Sequence, residues 1–307
     1  MDLDRPASER PGPLLSREVQ TRGAQPMVAR LLFSWGKLEA QRGVLTLDEL
    51  DTEVDRFREA GFEVILVPRG GNEVYGSSRL PSSTDTAALE AWRAFLRALA
   101  ERFRGRVRFY QISHRVDDPG ALPEGAGGRE YAFLLKSAAV EVRGADPEAF
   151  IVMGSISGEK PEFLEAVLGE EVSAYLDIVA LRGEAGVDPS EAVDRVSSQL
   201  LQHDPSVSVW IVAQGLPRTE PPQENGMSES AADPSAEATS LAADRSLRGG
   251  AMIELTASAL SSGARLILFD SPPHSSGSPE MGDLLIPLRR VFVPSLGPSP
   301  EGVGRLR

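Results

Sequence analysis

The 307-residue sequence contains no cysteine and only 3 histidines. The lack of cysteine excludes disulfide frameworks, thiolate zinc sites and cysteine nucleophiles, although a cysteine-free chain fits either redox compartment. His203 and His274 lie in polar, proline-flanked segments without the spacing of metal ligands. We therefore expect the chain to use no metal and no other cofactor.

Long apolar runs and an excess of basic charge are also absent. Lys+Arg 32 against Asp+Glu 45 gives a formal net charge of -13, which repels phosphate backbones and anionic lipids. No run approaches the roughly 18 apolar residues of a spanning helix, and the N-terminal residues lack the apolar centre of a signal peptide. We expect a soluble, acidic protein without nucleic-acid or membrane partners, cytoplasmic as written and extracytoplasmic if the true N-terminus is missing.

Glycine-rich phosphate loops are missing as well, because neither GxGxxG nor GxxxxGK[ST] occurs. An open nucleotide-binding sheet would need such a turn between its first strand and its first helix. Residues 1–26 are rich in Pro, Arg, Gly and Ser, which predicts a disordered tail, and residues 294–307 resemble a linker. Residues 27–293 remain as one domain, a length that barrels use without dividing.

Apolar runs alternate with helical patterns from Met27 onward. Seven runs are typical of strands buried on both faces: 28–35, 62–68, 107–113, 150–155, 177–181, 207–213 and 265–270. Amphipathic segments between them predict helices at 47–61, 87–103, 130–144, 161–176 and 189–204. This α/β alternation predicts parallel strands joined by right-handed crossovers, and it favours a closed barrel over an open sheet.

Residues 33–67 resemble the second strand, its loop and the third strand of clan A glycoside hydrolases, which commonly contain W-x-x-(I/L)-E-P-x-x-G. Trp35, Leu38, Glu39 and Gly43 match this phrase, whereas Ala40 replaces the proline. Later segments resemble strands four to eight of the family, so that the resemblance extends to about Asp270: 92–120, 150–158, 175–183, 209–217 and 248–270.

The resemblance implies a TIM (β/α)8 barrel, but only seven strands can be counted. The first strand of the family precedes the tryptophan phrase, where this chain has only the tail-like residues 1–26. Either the tail supplies an atypical first strand or the start of the chain is missing.

The catalytic positions that the resemblance implies have no carboxylates. Retaining hydrolysis needs two carboxyl groups about 5 Å apart, an acid/base and a nucleophile. By resemblance, Arg115 takes the acid/base position with His114 beside it, Ala213 takes the nucleophile position, and Arg182 replaces a histidine after strand six. Arginine cannot release a proton near neutral pH, and alanine cannot attack a sugar. The resemblance therefore implies a pseudoenzyme of a retaining glycosidase.

Three arginines, Arg69, Arg115 and Arg182, end strands whose carboxyl ends meet at the mouth of a barrel. They predict a positively charged bowl that could bind a small anionic ligand or a saccharide. The alternative is that each arginine neutralises a carboxylate such as Glu39, Glu184 or Asp270. The residues that we expect to line a ligand site are Trp35, Glu39, Arg69, His114, Arg115, Arg182, Gln214 and Asp270.

These features favour a non-catalytic module that binds carbohydrate or an acidic ligand, or serves as a scaffold. One alternative is an active O-glycosyl hydrolase with relocated carboxylates, for which Asp117, Asp118 and Glu124 are the candidates. A second is a structural protein-interaction domain with an unknown partner, which a large exposed apolar patch would favour. Glu39 could also be a loop carboxylate that pairs with a neighbouring arginine.

Overall fold

A computed structural model describes residues 27–184, 188–214 and 266–269 of the chain. In these ranges seven strands form one sheet, in which all neighbours are parallel and follow the order of the chain. The strands are β1 (Met27–Ser34), β2 (Phe62–Arg69), β3 (Phe109–Ile112), β4 (Phe150–Ile156), β5 (Ile178–Glu184), β6 (Ser208–Gln214) and β7 (Leu266–Phe269). Cα atoms of β1 and β7 lie within 8 Å of each other, so the sheet curls back towards its first strand.

Helices connect most of the successive strands. They are α1 (Trp35–Leu38), α2 (Asp48–Glu59), α3 (Thr86–Phe103), α4 (Gly128–Ala145), α5 (Pro161–Leu168) and α6 (Ser190–His203), with a 3-10 turn at Glu73–Tyr75. The architecture is an incomplete TIM barrel, which confirms the predicted fold class. None of the helices in the described ranges is long and apolar enough to cross a membrane. The two explanations for the first strand of the family concern residues 1–26, which lie outside these ranges.

One helix is shorter than the sequence pattern predicts. The pattern continues from 161 to 176, but α5 ends at Leu168. Glu171 has a φ of 54°, a left-handed conformation that a right-handed helix cannot contain. Val172 and Leu176 are nevertheless buried, so the apolar periodicity beyond the helix reflects packing of a turn against the core.

The apolar core has two parts. Successive residues along a strand belong alternately to one part and to the other. On β2, Ile65 and Val67 belong to a cluster that also contains Phe109, Trp210 and Val212. The residues between them, such as Leu66, pack against the helices. Because the first cluster draws on β1 to β6, it fills the interior of the barrel and forms an apolar floor beneath its mouth.

A buried tyrosine holds the carboxyl ends of β3 and β4 together. The Tyr131 hydroxyl donates to the Ile112 carbonyl oxygen at 2.7 Å and accepts from the Gly154 amide at 2.7 Å. Gly154 permits this approach, because a Cβ atom there would lie 2.8 Å from the Ile112 carbonyl oxygen and 3.1 Å from the Tyr131 hydroxyl. The start of the loop after β3 is therefore fixed by α4 and β4.

Candidate functional site

The loop after β3 has an unusual backbone. Ser113 and Arg115 have φ angles of 66° and 53°, a region that residues other than glycine rarely adopt. The end of β4 holds the loop in place, since the Arg115 amide donates to Ser155 Oγ at 3.1 Å and the Val116 amide donates to the Ser155 carbonyl oxygen at 3.2 Å. Such conformations persist where the surroundings impose them, and they concentrate at functional sites.

Arg182 on β5 binds two consecutive aspartates of this loop. Its Nη1 donates to Oδ1 of Asp117 and its Nη2 donates to Oδ1 of Asp118, both at 2.8 Å. The Arg182 and Asp117 side chains are only 5% and 1% exposed. Asp117 also accepts from the amide and the hydroxyl of Ser157, each at 2.8 Å. Asp117 is thus a buried, fully compensated charge that fastens the loop to β4 and β5.

Asp118 differs from its neighbour because it is partly exposed and bridges the buried Arg182 and the exposed Arg115. Arg115 Nε donates to Oδ2 of Asp118, and the Arg115 and Asp118 side chains are 51% and 26% exposed. Burial alone would raise the pKa of Asp118, but hydrogen bonds and charges from Arg115 and Arg182 hold it below its ordinary value. Asp118 is therefore ionised at neutral pH.

His114 is held as a neutral imidazole. Its Nδ1 lies 3.1 Å from Nη2 of Arg30 and 3.0 Å from Oγ of Ser155. Because a guanidinium only donates, Nδ1 accepts and the ring proton is on Nε2. Burial, followed by the charges of Arg30, Arg69 and two further arginines, lowers the pKa of His114 to about 3.

The structure brings Arg69, His114, Arg115 and Arg182 together at the carboxyl ends of β2, β3 and β5. Arg69 is exposed, and its charge reaches His114. No described residue forms an ion pair with it. We call Arg30, Arg69, Arg115 and Arg182 the arginine cluster. Within the described ranges its carboxylate partners are Asp117 and Asp118, rather than the Glu39 that we considered.

Trp35 and Glu39 belong to a separate, buried arrangement. The Trp35 ring is 1% exposed and stacks between Tyr75 and Phe95, with centroids 5.3 and 5.6 Å away. The Glu39 carboxylate accepts from Trp35 Nε1 at 2.6 Å, from the Gly43 amide at 2.7 Å and from the Tyr75 hydroxyl at 2.5 Å. Glu39 therefore pairs with these three donors and not with the arginine that we expected beside it. Through them it fastens the loop after α1.

The remaining candidates are two residues of β6, one loop residue and one residue outside the described ranges. Ala213 is paired in register with Gly183, and Gln214 is the last residue of β6, so both stand at the carboxyl edge of the sheet. Glu124 is exposed on the loop before α4. Asp270 directly follows β7 and falls outside those ranges.

Sequence reasoning missed Arg30, which contributes to the same site. Its Nε donates to Oε1 of Gln111 at 2.9 Å, and Gln111 is completely buried. Arg30 lies on the same face of β1 as Val28 and Leu32, because side chains two residues apart point to one side of a strand. Val28 and Leu32 pack against the interior cluster. The alternation rule for strands, applied to the apolar run of β1, would have placed this arginine on the inner face.

Neither a protein-family model nor a curated protein sequence matches the chain. Solved structures do match. A family 39 glycoside hydrolase from Bacteroides cellulosilyticus WH2 superposes with a TM-score of 0.61 at 12% identity, covering 80% of this chain and 50% of that protein. A glucosidase from Croceicoccus marinus gives 0.56 at 12% identity, covering 81% and 54%. Endo-glycoceramidase II from Rhodococcus sp. gives 0.52 at 14% identity, covering 88% and 71%.

These similarities show a fold like that of the clan A glycoside hydrolases, in agreement with the resemblance in the sequence. The chain spans about half the length of the first two proteins. At such low identity the shared property is the barrel scaffold.

Proposed function

We propose that this protein is a non-catalytic, glycosidase-like barrel that binds a saccharide at its mouth. The observation that carries the proposal is the environment of Arg115, which takes the acid/base position by resemblance. Its guanidinium is engaged with Asp118 at the end of β3. A guanidinium stays charged at every accessible pH, so it cannot protonate the leaving oxygen of a glycoside.

The nearby aspartates are poor substitutes for the missing acid. Asp117 is buried and bound by Arg182 and Ser157, so its carboxylate cannot approach an anomeric carbon. Asp118 has a lowered pKa, which leaves it without a proton to donate at neutral pH. These contacts argue against an active glycosidase that uses relocated carboxylates from this loop.

The apolar surface gives less support to a protein-interaction domain. Within the described ranges the large, exposed apolar side chains are Val44, Phe133, Val140 and Leu201. Only Phe133 and Val140 share an element, α4, where they lie seven residues apart. Isolated apolar residues of this kind are normal on a protein surface, whereas interaction sites have contiguous patches.

Binding at the mouth is supported by the layers of the barrel. Gln111, His114 and the arginine cluster form a polar layer above an apolar floor that contains Trp210 and Phe109. Saccharides present hydroxyl groups, with which polar side chains at the mouth can form hydrogen bonds. One of the similar structures is a glucosidase.

The test combines turnover and binding. Activated aryl glycosides of several sugars should give no burst of phenol with the pure protein, while calorimetry with neutral xylo-oligosaccharides should detect binding. A burst would refute the non-catalytic assignment. The variant Asp118→Asn then tests the exposed aspartate of this loop as the source, since loss of the burst in a folded Asp118→Asn protein would establish a relocated carboxylate.

A further inference from the structure

We propose that the mouth selects saccharides that carry a carboxylate, and that Asp118 occupies the carboxylate position in the free protein. This inference rests on the proposed saccharide binding and specifies the class of ligand. The ligand would be a uronic acid oligomer, whose carboxylate displaces Asp118 from Arg115.

The mouth already holds a carboxylate, that of Asp118. The two oxygens of Asp118 are divided between two guanidinium groups, with Arg115 Nε on Oδ2 and Arg182 Nη2 on Oδ1. Arginine binds planar carboxylates through two parallel or bridging hydrogen bonds, which fix the orientation of the anion. The position of the Asp118 carboxylate therefore shows where the carboxylate of a ligand could bind and which arginine donors it would meet.

Asp118 can be displaced from Arg115 without unfolding the loop. Its side chain is 26% exposed and that of Arg115 is 51% exposed, so this ion pair contributes little to stability. The adjacent Asp117 stays in place through Arg182 and the two donors of Ser157. Lys160 Nζ also donates to the Asp117 carbonyl oxygen at 2.6 Å. The loop has an anchor that does not depend on Asp118.

The arginine cluster retains capacity for a further anion. Arg69 is exposed at the end of β2, and no residue in the described ranges forms an ion pair with it. Arg182 Nε is buried and has no hydrogen-bond acceptor, although the rest of that guanidinium is engaged. A buried donor without an acceptor is unfavourable, so this guanidinium is not saturated by its present partners.

The surroundings of the arginine cluster favour a sugar acid over a simple anion. The chain carries a net charge of -13, so its general surface repels anions and the attraction is confined to the mouth. Beside the cluster, the neutral and half-buried His114 ring supplies an uncharged polar group suited to a hydroxyl. A ligand that combines a carboxylate with hydroxyl groups uses both sets of contacts.

The experiment is a calorimetric titration with three probes: a uronic acid oligomer, its neutral counterpart of the same length, and inorganic phosphate. The wild type should bind the uronic acid oligomer more tightly than the neutral one. Asp118→Asn removes the internal competitor and should tighten uronate binding by about tenfold. Arg69→Ala should weaken uronate binding by about fivefold.

A matched control separates local competition from overall charge. Asp55→Asn changes the net charge by the same amount, and Asp55 is also ion-paired with an arginine, Arg106, but it lies on α2 away from the mouth. Uronate affinity should therefore rise in Asp118→Asn and stay constant in Asp55→Asn. Equal increases in both variants would overturn the inference.

The remaining outcomes distinguish this inference from the function on which it rests. Equal binding of the neutral and acidic oligomers would overturn selection for a carboxylate while supporting a saccharide-binding barrel. If phosphate binds as tightly as the uronic acid oligomer, the site recognises a simple anion and the assignment to a sugar acid is wrong. Failure of every saccharide to bind both wild type and Asp118→Asn would overturn the two proposals together.

Discussion

Replacing Arg182 with methionine should destabilise the protein far more than the same change at Arg115. Arg182 and Asp117 form a pair with side chains 5% and 1% exposed. Removing one partner of a buried pair leaves an uncompensated charge and costs about 3–5 kcal/mol. Asp117 keeps the amide and hydroxyl of Ser157, so we expect the lower end, about 3 kcal/mol. Arg115→Met breaks an exposed pair and should cost about 0–1 kcal/mol.

Urea denaturation followed by circular dichroism measures both free energies of unfolding. With a slope of about 3 kcal/mol per molar, the Arg182→Met midpoint should fall by about 1 M and the Arg115→Met midpoint by less than about 0.3 M. In a double-mutant cycle, adding Asp117→Asn to Arg182→Met should restore part of the loss, because the orphaned charge is removed. Equal, small losses in the two arginine variants would refute the view that Asp117 and Arg182 form a buried anchor.

Three further predictions concern the residues that shape the site. Tyr131→Phe removes a buried hydroxyl with two backbone partners and should cost about 1–3 kcal/mol in the same denaturation assay. Gly154→Ala should cost about 1–3 kcal/mol through overpacking, whereas Gly144→Ala, where a Cβ meets nothing within 4 Å, should be neutral or stabilising. In an NMR titration His114 should stay neutral from pH 7 to about pH 4, since burial and neighbouring arginines hold its pKa at about 3. Because the unfolded pKa is about 6.5, its contribution to stability is complete above that pH and is lost as the pH falls towards the folded value.

Much of the fold could be predicted from the sequence because its signals are local. The runs at 62–68 and 207–213 correspond to β2 and β6 within one residue, and the strand order follows from their alternation with helices. The end of α5 could not be predicted in this way. Its apolar periodicity continues past Leu168, and only the packing of the turn reveals that Val172 is buried outside a helix.

The site was harder to predict because its contacts join distant parts of the chain. The resemblance placed Arg115 and Arg182 on the strand ends, but it could not identify Asp117 and Asp118 as their partners. The sequence around Trp35 does not reveal which way its ring points. In the structure the ring packs against Phe95 of α3 and does not face a ligand site. Burial and side-chain direction depend on the assembled barrel.

The central claim is that the mouth cannot form a covalent glycosyl-enzyme intermediate. The most direct test is intact-mass spectrometry after incubation with activated 2-deoxy-2-fluoro glycosides, which trap the nucleophile of retaining glycosidases. We predict that the mass remains that of the unmodified chain for every sugar tested. An increase of one fluoroglycosyl unit, mapped by peptide analysis to an aspartate or glutamate, would contradict the account.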